Sequence, residues 1–269
     1  MASRTGTLLQ WYEDRAGFFG TKYMEGDDSL EGFQSIPQTL HMRTAQEVEG
    51  IVRLLSLPPG ASILDCPCGY GRHSIPLAER GFTVVGSDIN QEMLDAAHRN
   101  ANGTGNLQFA REDMLELKYD SRFNAVINMF LAFGFFEDEN DNARVLSNFF
   151  RALMPGGKFL LHTDVNFGRI TNGKYKFHET RNLRSGRKLE IVESFEPIQK
   201  RLNGQWILID PTGVREELPS YSCRIYTGGE ITELCESVGF ASMQLYGGWN
   251  GTELETDSEE MIVVAAKSK

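Results

Sequence analysis

The segment Ile63-Leu64-Asp65-Cys66-Pro67-Cys68-Gly69-Tyr70-Gly71-Arg72 constrains this chain more than any other. A short apolar run ends in an acid, turns through two glycines and enters a helical pattern. Glycines at 69 and 71 let a backbone bend tightly and approach a ligand closely. The helix start beyond them offers unpaired N–H groups and a partial positive charge. A second apolar run, Phe82 to Asp88, also ends in an acid. Two strands that end in acids on either side of a glycine turn are the opening of a parallel sheet with a crevice at its strand ends.

The pattern upstream and downstream agrees. Val48, Ile51, Val52 and Leu55 fall on one face of a helix from Met42 to Ser56, which Pro58-Pro59-Gly60 ends. After the glycine turn come a helix to Arg80, the strand to Asp88, a helix from Gln91 to Ala101, and strands at Leu107–Ala110 and Phe123–Phe130. A helix from Asp138 to Leu153, a turn at Met154-Pro155-Gly156-Gly157 and a strand from Lys158 to Val165 follow. Such alternation predicts an α/β doubly wound, Rossmann-like sheet with helices on both faces.

Two segments break the alternation. Residues 167–226 read as an inserted antiparallel meander, with strands at Lys188–Phe195, Gln205–Asp210 and Glu217–Tyr226 and turns at Asn203-Gly204 and Pro211-Thr212-Gly213. Residues 1–41 read as an N-terminal arm or lid rich in aromatics: Trp11, Tyr12, Phe18, Phe19, Tyr23 and Phe33. The main domain then takes 42–166 and 227–269. A helix at Glu230–Val238 and two closing strands, Ala241–Tyr246 and Met261–Ala266, complete it.

Composition narrows the function. The formal net charge is −10, which repels phosphate backbones, so nucleic acid is not the expected partner. The basic run from Lys174 to Lys188 reads as a solvated lid face. The most apolar stretch, Phe123 to Phe136, is interrupted by Asn124 and Asn128 and is too short for a bilayer. With no apolar leader at the N-terminus, the expectation is a cytoplasmic protein with no membrane partner. Cys66 and Cys68 are too close for ordinary zinc-ligand spacing, so no metal is expected and all four cysteines read as thiols. A homo-oligomer is left open.

The acids carry the chemistry. A carboxylate at the end of the second strand, Asp88, is placed to accept from both hydroxyls of a ribose. Glu112-Asp113-Met114, after the third strand, offers an acid and an apolar neighbour for an adenine edge and face. The ordered set Asp-Cys-Pro-Cys-Gly-Tyr-Gly-Arg, Gly-Ser-Asp-Ile-Asn, Arg-Glu-Asp-Met, Asn-Met-Phe and Leu-Met-Pro-Gly-Gly-Lys-Phe resembles the motifs of class I S-adenosylmethionine-dependent methyltransferases. The resemblance runs from Arg43 to Lys269, and the overall pattern is similar to bacterial small-molecule N- and O-methyltransferases, including those of the natural-product type. It implies a seven-stranded sheet, mostly parallel, with a reversed last strand.

The resemblance also implies a site. Gly69 and Gly71 would lie against the methionine portion of S-adenosylmethionine, with Asp65 positioning that loop and the ammonium. Asp88 would bind the ribose and Ile89 pack on the adenine. Asp113 would accept from the adenine amino group, with Met114 beside it. Asn128 and Met129 would line the sulfonium, and Arg43 would pair with the methionine carboxylate. His162 and Asp164, at the end of the fifth strand, are lesser candidates for touching substrate, and Tyr221, Arg224 and Tyr226 of the meander are others.

Because the cofactor is already activated, the protein chiefly has to align nucleophile, methyl and sulfur and exclude water. Aromatic rings stabilise a sulfonium through their faces. Tyr12 and Tyr23 are the candidate catalytic residues, as orienting hydroxyls. The expectation is methyl transfer to a small-molecule acceptor, with nitrogen favoured over oxygen because an amine needs no strong base. Two rivals are an NAD-dependent oxidoreductase and a non-catalytic S-adenosylmethionine-binding module.

Overall fold

The computed structural model describes Tyr12, residues 17–31 and residues 38–269. Trp11, Phe33 and the remainder of the expected arm lie outside the described residues. Among the described residues the first elements are a short helix, α1 (Thr21–Asp27), and α2 (Leu40–Leu55). The Thr39 hydroxyl accepts from Met42 N–H and caps α2. Val48, Ile51 and Leu55 bury its inner face, and Ser56, left-handed at φ 52°, ends it before the prolines.

The main domain alternates as the sequence predicts: β1 (Ser62–Asp65), α3 (Ser74–Glu79), β2 (Thr83–Asp88), α4 (Gln91–Asn100), β3 (Leu107–Arg111), β4 (Phe123–Asn128), α5 (Glu139–Ala152) and β5 (Leu153–Thr163). A five-residue helix, α6 (Phe167–Thr171), leads into the second region: β6 (His178–Asn182), β7 (Lys188–Glu196), β8 (Arg201–Ile209), β9 (Arg215–Glu217) and β10 (Tyr221–Arg224). The chain returns through α7 (Gly228–Val238), β11 (Ser242–Tyr246) and β12 (Met261–Ala266).

The first sheet has seven strands in the order β11-β12-β5-β4-β1-β2-β3. Only β12 runs against its neighbours. Helices α2 and α3 pack on one face and α5 and α7 on the other. Strand order reverses between β1 and β4, so the loops after these strands diverge and open a crevice there. The second sheet is antiparallel, ordered β10-β8-β7-β6 with β9 on β8.

Two expected turns are strand instead. Asn203-Gly204 lies inside β8, where Gly204 faces the Tyr221 ring: a Cβ there would meet Tyr221 Cζ at 2.4 Å. The glycine serves a close cross-strand approach, and the actual β7–β8 turn spans residues 197–200. Met154-Pro155-Gly156-Gly157 belongs to β5, as an irregularity where the β4–β5 register shifts between Phe123 and Ala125. Helix α6 and strand β6 carry too little periodicity to be read from the sequence; the Asn166 side chain caps the start of α6 by accepting from Gly168 N–H at 2.9 Å.

The described part of the arm packs on the second sheet. Tyr23 stacks on Trp206 with ring centroids 5.1 Å apart and planes at 19°, and Phe18 packs edge-on to the same indole at 5.3 Å. Ser29 bridges to Leu183, and Leu30 N–H donates to Asn182 carbonyl at 2.8 Å. Gly26 lies directly under the indole, where a Cβ would come within 2.8 Å of Trp206. Gly26→Ala gains about 1 kcal/mol of helix propensity but overpacks a rigid ring at a cost of about 1–3 kcal/mol. The expected outcome is a thermal midpoint lowered by a few degrees (about 2–4 °C per kcal/mol); a raised midpoint in a melting curve contradicts this contact.

Candidate active site

The glycine loop after β1 is pinned to the end of β2. Gly69 N–H donates to Asp88 Oδ2 at 2.8 Å, and Asn90 N–H donates to Asp88 Oδ1 at 2.9 Å. Gly69 is left-handed (φ +53°), and no atom lies within 4 Å of where its Cβ would be. Gly71 (φ +83°) faces the other way: a Cβ there would meet Ile75, Phe109 and Ala97 at 3.0–3.3 Å. So Gly69 opens onto the crevice, whereas Gly71 packs the loop against α3, β3 and α4.

The crevice is a cavity of about 980 Å³, its open mouth included. The loop after β1 supplies Cys66 to Tyr70, Arg72 and His73, and β2 and the start of α4 supply Asp88, Ile89, Asn90 and Met93. Glu112, Asp113 and Met114 follow β3, and Met129 and Phe130 follow β4. Tyr12, Phe19, Tyr23 and Asp27 close it from the arm. The Asn90 side chain joins arm to loop by donating to Phe19 carbonyl at 2.6 Å.

Three expected contact residues lie behind this wall. Asp65 is 1% exposed and accepts from Ser74 Oγ at 2.6 Å. Burial pushes its carboxyl up to about 7, against the Ser74 hydrogen bond and Arg72. Asn128 is fully buried and donates to Cys66 carbonyl at 2.9 Å, tying β4 to the loop. Arg43 is 3% exposed, donates to Glu47 Oε1 at 2.7 Å and approaches Glu260 at 3.6 Å. The arginine on the wall is Arg72, from the loop itself. Asp113 accepts from Leu115 N–H at 2.8 Å while facing the cavity beside Glu112.

A second cavity, of about 610 Å³, shares Phe19, Tyr23, Phe130 and Phe135 with the first. It lies between the strand ends of the main domain and the second sheet. Trp206, Tyr221, Tyr175 and Phe18 add aromatic surface, and Asp164, Glu179, Arg181 and Glu193 add charge. Glu179 takes up Arg181 through two hydrogen bonds of 3.0 Å. Glu193 accepts from Tyr175 at 2.8 Å and from Tyr221. Burial pushes Glu193 up to about 7, opposed by those two hydroxyls. Burial also holds the Tyr23 phenol well above its ordinary range, so it stays protonated.

Phe130, on both walls, has φ +61°, and Leu131 has φ +53°. Two consecutive bulky residues in the left-handed region are strained. His162 holds them: its Nδ1 accepts from Phe130 N–H at 3.2 Å and its carbonyl from Leu131 N–H at 3.1 Å. That leaves Nε2 to donate to Glu260 at 3.2 Å. His162 is thus a support, while Asp164 two residues on reaches the second cavity. Arg224 and Tyr226 bind Glu139 and line neither of these two cavities.

Residues 63–157 match the family model described as a methyltransferase domain. A putative methyltransferase, YqeM, of Bacillus subtilis (strain 168) is 35% identical over 113 residues, 42% of this chain and 46% of that protein. This chain thus spans about half the length of that relative. A glycine/sarcosine N-methyltransferase of Halorhodospira halochloris is 26% identical over 84% of this chain and 82% of that one. Among solved structures, S-adenosylmethionine-bound CalS10, an amino pentose methyltransferase from Micromonospora echinaspora, superposes with a TM-score of 0.64 at 20% identity, covering 86% of this chain and 92% of that one. Residues 63–157 thus carry a methyltransferase domain, and the chain is similar to class I S-adenosylmethionine-dependent methyltransferases.

The cofactor that a methyltransferase domain implies is S-adenosylmethionine. The first cavity fits it: the open space over Gly69 admits a ligand against the backbone, and apolar Ile89, Met93 and Met114 stand beside acids suited to ribose and adenine edges. Among the described residues no cluster of side chains is arranged for a metal ion, and no helix is long and apolar enough to cross a membrane.

Sequence reasoning singled out Arg43 but passed over Arg72, Asp27 and Tyr70, which the structure brings to one corner of the cavity. Beneath that corner lies a buried ionic cluster. Burial alone would raise the Glu47 carboxyl, but Arg72, His73 and Arg43 together hold it well below the ordinary range. His73 Nε2 sits 2.9 Å from Glu47 Oε2. Burial and Arg72 hold the imidazole down to about 4, so it is neutral at pH 7 and donates to Glu47. Between its ordinary 6.5 and about 4 the unfolded chain binds the proton and the folded one does not. Stability from His73 is therefore complete above that window and is lost as pH falls through it. In denaturant titrations His73→Gln is expected to flatten this part of the stability–pH profile; an unchanged slope contradicts a neutral buried His73.

Proposed function

We propose that this methyltransferase transfers the methyl group of S-adenosylmethionine to a nitrogen of a small molecule held in the second cavity. The observation that carries the reading is the common wall: Phe19, Tyr23, Phe130 and Phe135 separate a nucleoside-sized crevice from an aromatic, acidic chamber. When bound, the cofactor supplies a sulfonium methyl open to in-line displacement.

The chain's own residues divide the remaining work. Asp88 would accept from the ribose, Ile89 would pack on the adenine, and Asp113 would accept from the adenine amino group with Met114 beside it. Gly69 leaves room for the thioether chain. Asp65 and Asn128 act from behind, fixing the loop and the end of β4 rather than touching the ligand. Tyr12 and Tyr23 stand on the arm as the candidate catalytic residues. Because its phenol stays protonated, Tyr23 orients the nucleophile and covers the methyl with its ring; it does not take the proton. The described part of the arm, Tyr12 and residues 17–31, and the inserted region, residues 167–226, together form the far wall and exclude water.

Nitrogen is favoured over oxygen by the charge of the chamber. Asp164 and Glu193 face it, and Arg181 is neutralised by Glu179. Carboxylates among aromatic faces attract an ammonium. The nearby cation also draws Glu193 towards its ionised form. Once the amine is neutral it attacks without a strong base, whereas an alcohol has to lose a proton. The names of the glycine/sarcosine and amino pentose enzymes are consistent with this preference.

The expected outcome with radiolabelled methyl donor is transfer to small amines and none to their matched alcohols. Turnover of alcohols alone contradicts the reading. Asp164→Asn is expected to lower kcat/KM for an amine about 10-fold or more, the size of a lost charge-assisted contact. Unchanged kinetics in that variant would remove Asp164 from the acceptor site.

A further inference from the structure

Three buried polar atoms on the wall of the first cavity have no hydrogen-bond partner among the described residues: Asp27 Oδ1, Arg72 Nη2 and Glu112 Oε2. Glu112 follows β3, whereas Asp27 and Arg72 carry opposite charges and interact with each other. Asp27 is 2% exposed, at the end of α1, and its other oxygen accepts from the Tyr70 hydroxyl at 2.5 Å. The Arg72 side chain is 9% exposed; its Nη1 donates to Thr44 Oγ1 at 3.0 Å and to Glu47. An unsatisfied buried charge is costly, and such atoms are normally completed by a ligand or water. The two residues interact electrostatically, so both sit at one corner of the crevice.

We propose that Asp27 and Arg72 together bind the zwitterionic amino-acid end of the cofactor: Asp27 Oδ1 accepts from the α-ammonium, and Arg72 Nη2 donates to the α-carboxylate. This rests on the reading of the first cavity as the cofactor site. A zwitterion carries its two charges on neighbouring atoms, and no single residue of the wall answers both. Arg43, the arginine the resemblance implies for the carboxylate, donates through Nε to Glu47, approaches Glu260 at 3.6 Å and lies off the wall. Arg72 comes from the loop that cradles the nucleoside, so its guanidinium is fixed relative to Gly69.

The consequence reaches the acceptor site. Asp27 lies four residues after Tyr23, one helical turn along α1 on the same face. Gly26 between them is packed under Trp206. Cofactor held by Asp27 thus seats the arm, and with it the Tyr23 wall of the second cavity. Cofactor binds before acceptor.

Calorimetry with S-adenosylhomocysteine and with methylthioadenosine, which lacks the amino-acid end, tests this directly. Wild type is expected to prefer the former. Asp27→Asn and Arg72→Gln are each expected to weaken S-adenosylhomocysteine about 10- to 100-fold while leaving methylthioadenosine within about 2-fold. The deaminated analogue of S-adenosylhomocysteine should bind Asp27→Asn and wild type alike, which keeps the claim testable if the Arg72 variant does not fold. Hydrogen exchange of the α1 amides should slow with S-adenosylhomocysteine and not with methylthioadenosine. Variants that retain the wild-type ratio of the two affinities overturn the assignment and leave the cofactor reading standing. A folded wild type that binds neither ligand overturns both.

Discussion

The Asp88 carboxylate, accepting at once from the backbones of Gly69 and Asn90, is the contact on which the site depends. It fixes the end of one strand to the loop that leaves its neighbour. A loop with two glycines has many conformations to lose, and an acid at a strand end is a rigid point to lose them against. The close-fitting packing of Gly71 on Ile75, Phe109 and Ala97 holds the other side of the same bend. Between these restraints the loop presents Gly69 and Arg72 to the crevice and keeps Asp65 behind it.

A second restraint works from the strained pair Phe130 and Leu131. His162 accepts from the Phe130 amide, and both Arg43 and Arg72 lie over the Phe130 ring, at 4.6 and 4.9 Å. The ring sits on the wall shared by the two cavities. Buried ion clusters are poor sources of net stability, because desolvation offsets their attraction. Here the cluster of Arg43, Glu47, Arg72, His73 and Glu260 has a geometric use: it holds a strained aromatic wall and a cationic side chain in register with the glycine loop.

Much of this was legible in the sequence because it is local. The strand, glycine bend and helix around Asp65 to Arg72, and the acid at Asp88, are contiguous patterns whose spacing dictates their meeting in a parallel sheet. The reversed strand β12 followed from the resemblance rather than from periodicity. What escaped the sequence is long-range. Asp27 reaches the crevice only because α1 is anchored by Trp206 and Leu183, some 150 residues or more further along. Glu193 faces the second cavity because Tyr175 and Tyr221, on separate segments, converge on it. Gly204 looks like a turn residue until the Tyr221 ring is seen against it. Arg43 and Asn128 stand out in the sequence as candidate contacts, but which way a buried polar side chain points is decided by its partners.

The central claim is that the pinned glycine loop forms a berth for an adenosyl amino acid rather than for a dinucleotide. Calorimetric titration of the wild-type protein with S-adenosylhomocysteine, run beside NADH, tests it most directly. The account predicts saturable heat at one equivalent from the first and none from the second. A sample with intact near-ultraviolet circular dichroism that responds to NADH, or that gives no heat with S-adenosylhomocysteine, contradicts it.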